Sequence, residues 1–237
     1  MDFLKRLEKL MTRLRSPGGC PWDRRQTHKS LKPYLLEEAH ETLEAIDIGN
    51  PVHLREELGD LLLQVVFHAQ LAKEKGNFNL QDVAKTIGDK LIRRHPHVFG
   101  KSSRKISDIK QKWEELKRRE KPERQSALDG LPQSLPALLR AQRMHEKIQK
   151  GLKPSQPKQL ARDLEKSFKT FLESLKSANK RDREKSAGEF LLLFARLAQS
   201  KSLHAEMALR KAAAIYEKRF RKTETKAKKS FPRTNTD

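Results

Sequence analysis

The chain has 237 residues, 35% hydrophobic and only 6% aromatic, and its 52 Lys and Arg outnumber 31 Asp and Glu for a formal net charge of +21. That apolar content supports one or two small domains and excludes a single large core, while few glycines among abundant Leu, Ala, Glu, Lys and Arg favour helices over sheets. The lone cysteine, Cys20, excludes an internal disulfide, no run approaches the roughly 18 apolar residues of a membrane span, and the first residues alternate charge with Leu unlike a secretory leader, so the expected compartment is the cytoplasm.

Residues 2 to 15 predict a first helix, with Phe3, Leu4, Leu7, Leu10, Met11 and Leu14 at spacings of three and four. "SPGGCPWD" stops it, and Thr27 or Ser30 is positioned to cap a second helix whose stripe of Leu31, Tyr34, Leu35, Leu43 and Ile46 runs to "DIGNP". The apolar pattern resumes from Val52 to about Lys75, completing a helical hairpin. A further helix is expected from Leu80 to Arg94, halted by Pro96, then a turn at "HPHVFG" and a helix over "SDIKQKWEELKRRE" capped by Ser107. Pro122, Gly130, Pro132 and Pro136 mark a linker.

Beyond the linker, helices are expected around 136–150, 158–177, 183–200 and 202–222. The sequence thus reads as all-α, with a first module at 1–120, a linker at 121–136, a second module at 137–222 and a disordered basic tail at 223–237. The second module reads as a worn copy of the first: "LEKSFKTFLESL" lies on "LEEAHETLEAI" and "EKSAGEFLLLFARLA" on "REELGDLLLQVVFHA". Lys166, Lys169 and Ser186 then fall at the places of Glu38, Glu41 and Glu57, and Glu189 at that of Asp60.

In this basic chain, acids concentrate in the first hairpin: Glu37, Glu38, Glu41, Glu56, Glu57 and Asp60. Positions three apart share a helix face, so Glu38 and Glu41 form one pair and Glu57 and Asp60 another, and a short turn brings both helices antiparallel. Leu35, Leu43, Leu58 and Leu62 would then draw the pairs toward one interhelical space. Four carboxylates at close quarters repel and require a cation, and oxygen donors suit Mg²⁺ or Mn²⁺; no Cys/His spacing suggests zinc. Lys90, Arg93 and Arg94, at helical spacing, can hold phosphates or simply complement a helix end, and Asp89 can add a ligand. Trp22 can stack on a base, though packing beside Pro21 is the commoner role for such a residue. His28, His95 and His97 read as hydrogen-bonded scaffold.

"EEAHE" at 37–41 and "ELGD" at 57–60, with "GCPWDRRQTHKSLKPYLLEEAHETLEAI", "ELGDLLLQVVFHAQLA" and "KLIRRHPHVF", closely resemble the MazG family of all-α nucleoside triphosphate pyrophosphohydrolases in its two-module form. "SALDGLPQSLPALLRAQRMHEK" resembles the join between modules. The resemblance implies hydrolysis of a nucleoside triphosphate to monophosphate and pyrophosphate by a homodimer, with Glu38, Glu41, Glu57 and Asp60 as Mg²⁺ ligands. Glu37 would be a second-metal ligand or a water-orienting base. The second module, lacking three of the four acids, is expected to be catalytically dead. The alternative is a weak or inactive nucleotide-binding or regulatory protein, with nucleic acid as a possible partner of the basic C-terminal half.

Overall fold

A computed structural model describes residues 2–100, 105, 108, 109, 113, 115, 116, 119, 120, 122–149 and 156–230, with side chains described to 226. The described residues are helical without strands, and the chain divides into two units, Met1–Glu120 and Lys121–Asp237. None of their helices is long and apolar enough to cross a membrane.

The first unit opens with α1 (Phe3–Arg15), capped by the Asp2 side chain. Its apolar stripe buries Met11, with Leu7 packed beside it, against the last turns of the later helix α4 (Pro51–Glu74). Met11, Leu31, Val66, Phe67, Ala69, Leu71 and Leu80 make up the core. Polar contacts fasten the same interface: Arg15 forks onto both carboxylate oxygens of Glu74 at 2.8 and 2.7 Å while its guanidinium lies 5.4 Å from the Phe67 ring centroid. Thr12 donates to Gln70 at 3.0 Å, and Lys73 reaches Glu8 at 3.2 Å. Such bidentate, aromatic-backed pairs hold geometry better than isolated surface pairs.

The chain reverses after α1 through Gly19, whose added Cβ would lie 2.2 Å from the Leu14 carbonyl oxygen and 2.5 Å from that of Arg13. Only glycine fits that approach. A short helix not expected from the sequence, α2 (Pro21–Arg25), follows. α3 (Lys32–Ile48) starts later than expected, with Leu31 at its cap position and Pro33 in its first turn. Thr27 and Ser30 do not cap it; each side chain accepts from the other's backbone N–H, closing a separate turn. Gly49, at φ +75°, ends α3, and the Asn50 side chain accepts from Val52 and His53 to start α4.

α3 and α4 pack as the expected antiparallel hairpin, but the buried residues of α3 are Thr42 and Ala45. Leu35, Leu58 and Leu62 stay exposed, so the predicted leucine seam is not what closes the hairpin. Small side chains let the helices approach there, leaving the larger ones on an outer face. α5 (Leu80–Arg94) begins with a capping box between Asn79 and Asp82, and the expected turn at 96–99 is one helical turn, α6 (Pro96–Phe99). The helix expected over 107–120 falls largely outside the described residues.

The second unit comprises α7 (Ala137–Gln149), α8 (Pro157–Ser174), α9 (Lys180–Ser200) and α10 (Ala205–Ser230). α8 and α9 repeat the hairpin plan: the Asn179 side chain accepts from Arg181 as Asn50 does from Val52, and Gly188 sits nine residues beyond it, as Gly59 does beyond Asn50. The disordered tail expected from 223 is corrected in part. α10 continues to Ser230, because Lys222 to Lys229 contain no Gly or Pro to stop it; residues 231–237 lie outside the described residues.

Candidate active site

The hairpin of α3 and α4 brings Glu38, Glu41 and Glu57 together, each offering a carboxylate oxygen within 4.8 Å of the other two. Glu38 and Glu57 are half-buried and Glu41 is exposed. Asp60 stands outside that trio, exposed one turn beyond Glu57, yet it is the strongest charge acting on Glu38. Burial pushes the Glu38 carboxyl up from its ordinary value, and Asp60, Glu41, Glu57 and Glu37 push it further. Glu37 is exposed, on the rim of the cluster.

Two contacts that sequence reasoning missed position Glu57. The Thr42 hydroxyl donates to the Glu57 backbone carbonyl at 3.4 Å, joining α3 to α4 beside the acids. His53 Nδ1 lies 3.3 Å from a Glu57 carboxylate oxygen and 4.0 Å from one of Glu56. The i, i+4 spacing of His53 and Glu57 was a legible signal; the cross-helix reach of Thr42 was not.

The donor set fits a hard divalent ion. Three clustered carboxylates give oxygen ligands, and a carboxyl held above its ordinary value by burial and then by its neighbours is one whose ionised form a cation would favour. In the second unit the same helix positions carry Lys166 and Lys169, both exposed, and Ser186, buried and hydrogen-bonded to Ser174 at 2.7 Å. Glu189 alone retains an acid there.

The basic residues of α5 are placed differently from one another. Arg93 and Arg94 both donate to Glu120, the first at 2.8 Å, and Arg94 also lies 5.5 Å from the centroid of the Trp113 ring. Hydrogen bonds from Arg94, then Arg93, hold the Glu120 carboxyl down to about 2. Lys90 is half-buried with no ion pair among the described residues, and Asp89 pairs with Lys85 at 2.6 Å. Trp22 packs edge-on against Tyr34, centroids 5.6 Å apart, while half its surface stays exposed. His28 shares a 2.8 Å hydrogen bond with His68, and His95 Nδ1 lies 2.6 Å from the Leu91 carbonyl.

Residues 26–99, which contain the whole carboxylate hairpin, match the MazG nucleotide pyrophosphohydrolase domain. The chain is 42% identical over 224 residues to the nucleoside triphosphate pyrophosphohydrolase/pyrophosphatase MazG of Thermotoga maritima, covering 94% of this chain and 86% of that protein. The chain belongs to the MazG family. It is also 41% identical over 234 residues to the nucleoside triphosphate pyrophosphohydrolase of Escherichia coli K12, covering 94% of this chain and 88% of that one. The crystal structure of a mazG-related protein from Thermotoga maritima aligns with 48% of this chain and 98% of its own, at a TM-score of 0.42 and 26% identity. As a MazG protein, this chain has its three-acid cluster wholly within the matched domain.

Proposed function

We propose that the first unit hydrolyses nucleoside triphosphates to nucleoside monophosphate and pyrophosphate, using Mg²⁺ held by Glu38, Glu41, Glu57 and Asp60. The observation that carries this reading is the cluster of three carboxylates within 4.8 Å, with Glu38 pushed toward its neutral form. When bound, the divalent ion supplies charge neutralisation for the phosphate oxygens and a lowered pKa for an attacking water. Glu38, half-buried with four other acids acting on it, anchors the ligand set, while Thr42 and His53 fix the backbone and carboxylate of Glu57. Glu37, exposed at the rim, is placed to orient water or to take part in holding a second ion.

Lys90, Arg93, Arg94 and Trp22 form the substrate-binding set in this reading. Because Glu120 already engages both arginines, phosphate contact by either requires exchange of that partner, whereas Lys90 needs none among the described residues. The second unit is non-catalytic, since lysines at two ligand positions oppose a cation. The exposed apolar face of Leu35, Leu58 and Leu62 supports a homodimer, in which such a face is covered.

The test is pyrophosphate release from a panel of nucleoside triphosphates with and without Mg²⁺. Activity should require the ion and fall at least about a hundredfold in a Glu38→Gln, Glu41→Gln variant. Unchanged release by that variant, or release insensitive to chelator, would reject the assignment.

A further inference from the structure

The carboxylate hairpin is tied at two levels. At one, Thr42 reaches the Glu57 carbonyl; at the other, the chain entering α3 meets α4 through two half-buried imidazoles, with His28 Nδ1 and His68 Nδ1 2.8 Å apart. The two ring planes differ by 1° and the ring centroids lie 5.1 Å apart. Nitrogens in such contact allow that centroid separation only when the rings lie edge to edge in one plane, each pointing its Nδ1 at the other. A line of that length between two nitrogens holds one hydrogen. The pair can therefore carry a hydrogen on either Nδ1, and never on both.

Two further atoms stand without partners. His68 Nε2 is buried and makes no hydrogen bond, and neither does the buried Oε1 of Gln64, four residues earlier on α4. Residues four apart share a helix face, and Gln64 is only 6% exposed. A buried N–H without an acceptor is the rarer orphan, so His68 keeps its hydrogen on Nδ1, donates to His28 and leaves Nε2 bare. His28, accepting at Nδ1, carries its own hydrogen on Nε2.

The helices packed on α4 bring charges of their own: Glu8 and Arg15 on α1, Glu37, Glu38 and Glu41 on α3, and Lys85, Asp89 and Lys90 on α5. Glu8 is taken by Lys73, Arg15 by Glu74 and Lys85 by Asp89, while Glu37 and Glu41 act on Glu38. Burial holds the His68 imidazole below its ordinary value, and the charge that lowers it further is that of His28.

We propose that His28, His68 and Gln64 form a proton-operated clasp on the hairpin, in which uptake of one proton moves the shared hydrogen from His68 to His28 and brings Gln64 into the tie. One proton enters from solvent and none leaves. His28 ends with hydrogens on both nitrogens and the positive charge, and His68 stays neutral with its hydrogen on Nε2. Gln64 Oε1, an acceptor without another partner, takes that N–H by a turn of its side chain. Charge-assisted hydrogen bonds are the stronger kind, so the first proton tightens the link between α4 and the chain entering α3. A second proton would set N–H against N–H along the shared line and part the rings. The clasp rests on none of the proposed metal ligands.

Long-range proton–nitrogen correlation spectra of the full chain, with isotope-labelled histidine and chelator present, read which ring nitrogen carries hydrogen; His28→Asn and His68→Asn serve to assign the signals. At pH 8, His68 should carry hydrogen on Nδ1 alone. On acidification His28 should become doubly protonated while His68 stays neutral and moves its hydrogen to Nε2. Gln64→Leu, which keeps the bulk and removes the acceptor, should lower the pH of that step by about 0.5 to 1 unit. The wild-type spectra stand whether or not that variant folds, and Gln64→Met provides the same comparison. A hydrogen on His68 Nε2 already at pH 8, a charge taken first by His68, or a step that removal of the Gln64 amide leaves in place would each overturn the proposal.

Discussion

Replacing Glu38 by Gln separates the two roles that crowding gives this carboxyl. At 4.8 Å, two like unit charges repel by about 1 kcal/mol at the dielectric of water and about 3 to 4 kcal/mol at an effective value of 20. Glu38 is half-buried and its neighbours can swing apart, so removing its charge should stabilise the metal-free first unit by about 1 to 2 kcal/mol. For a unit of this size that is a rise of roughly 4 to 8 °C in Tm. Because the folded carboxyl titrates above its ordinary 4.5, its ionisation penalty is present at neutral pH and relieved as pH falls through the folded value. Wild-type stability in chelator should therefore climb on mild acidification relative to the Gln variant, and the difference between them should shrink. Adding Mg²⁺ should raise the Tm of the wild type more than that of the variant, which gives up most of its pyrophosphate release. Thermal scans at pH 7.5 and 5 with chelator or Mg²⁺ provide the comparison. A Gln variant less stable than wild type in chelator, or a wild type whose Tm ignores Mg²⁺, would refute the reasoning.

Gly19→Ala should destabilise the first unit by about 1 to 3 kcal/mol, read as a lower urea midpoint with unchanged slope, because its Cβ would collide with two backbone carbonyls. Glu120, held down to about 2 against an ordinary 4.5, contributes stability above pH 4.5 that is lost as pH falls toward 2; with its side chain 15% exposed, screening leaves about 1 to 2 kcal/mol. Glu120→Gln should flatten that acid limb in pH-dependent denaturation and free Arg93 and Arg94. Glu189→Gln, at the one proposed ligand position that keeps an acid in the second hairpin, should leave kcat and KM for pyrophosphate release unchanged.

Helix identity was legible because apolar residues recur at three and four, but the leucine pattern did not tell which side of α3 faces α4. That choice fell to Thr42 and Ala45, whose size permits close approach and whose composition carries no hydrophobic signal. The carboxylate pairs were readable from spacing alone, since helical periodicity fixes their shared faces, yet the outward position of Asp60 relative to the trio depends on helix rotation, which spacing does not set. Arg93 and Arg94 looked free for phosphate because their partner, Glu120, is 27 and 26 residues further along, respectively. The end of α10 was misread because a run of lysines signals solvation, and solvated residues can still be helical when no Gly or Pro interrupts them.

The two ends of α4 are held differently. Its last turns hold the core and the Arg15 fork, while its opening turns, which bear Glu57 and Asp60, start from an asparagine cap and pack on α3, whose Thr42 hydroxyl reaches the Glu57 carbonyl. The buried core and the proposed metal ligands thus occupy opposite halves of one rod, so those acids can be exchanged with little harm to the fastening. The later hairpin shows such an exchange in part: its capping asparagine and glycine persist while Ser186 stands at the place of Glu57 and Glu189 at that of Asp60. A duplicated copy of this design is free to drift into a new occupation without first having to relearn how to fold.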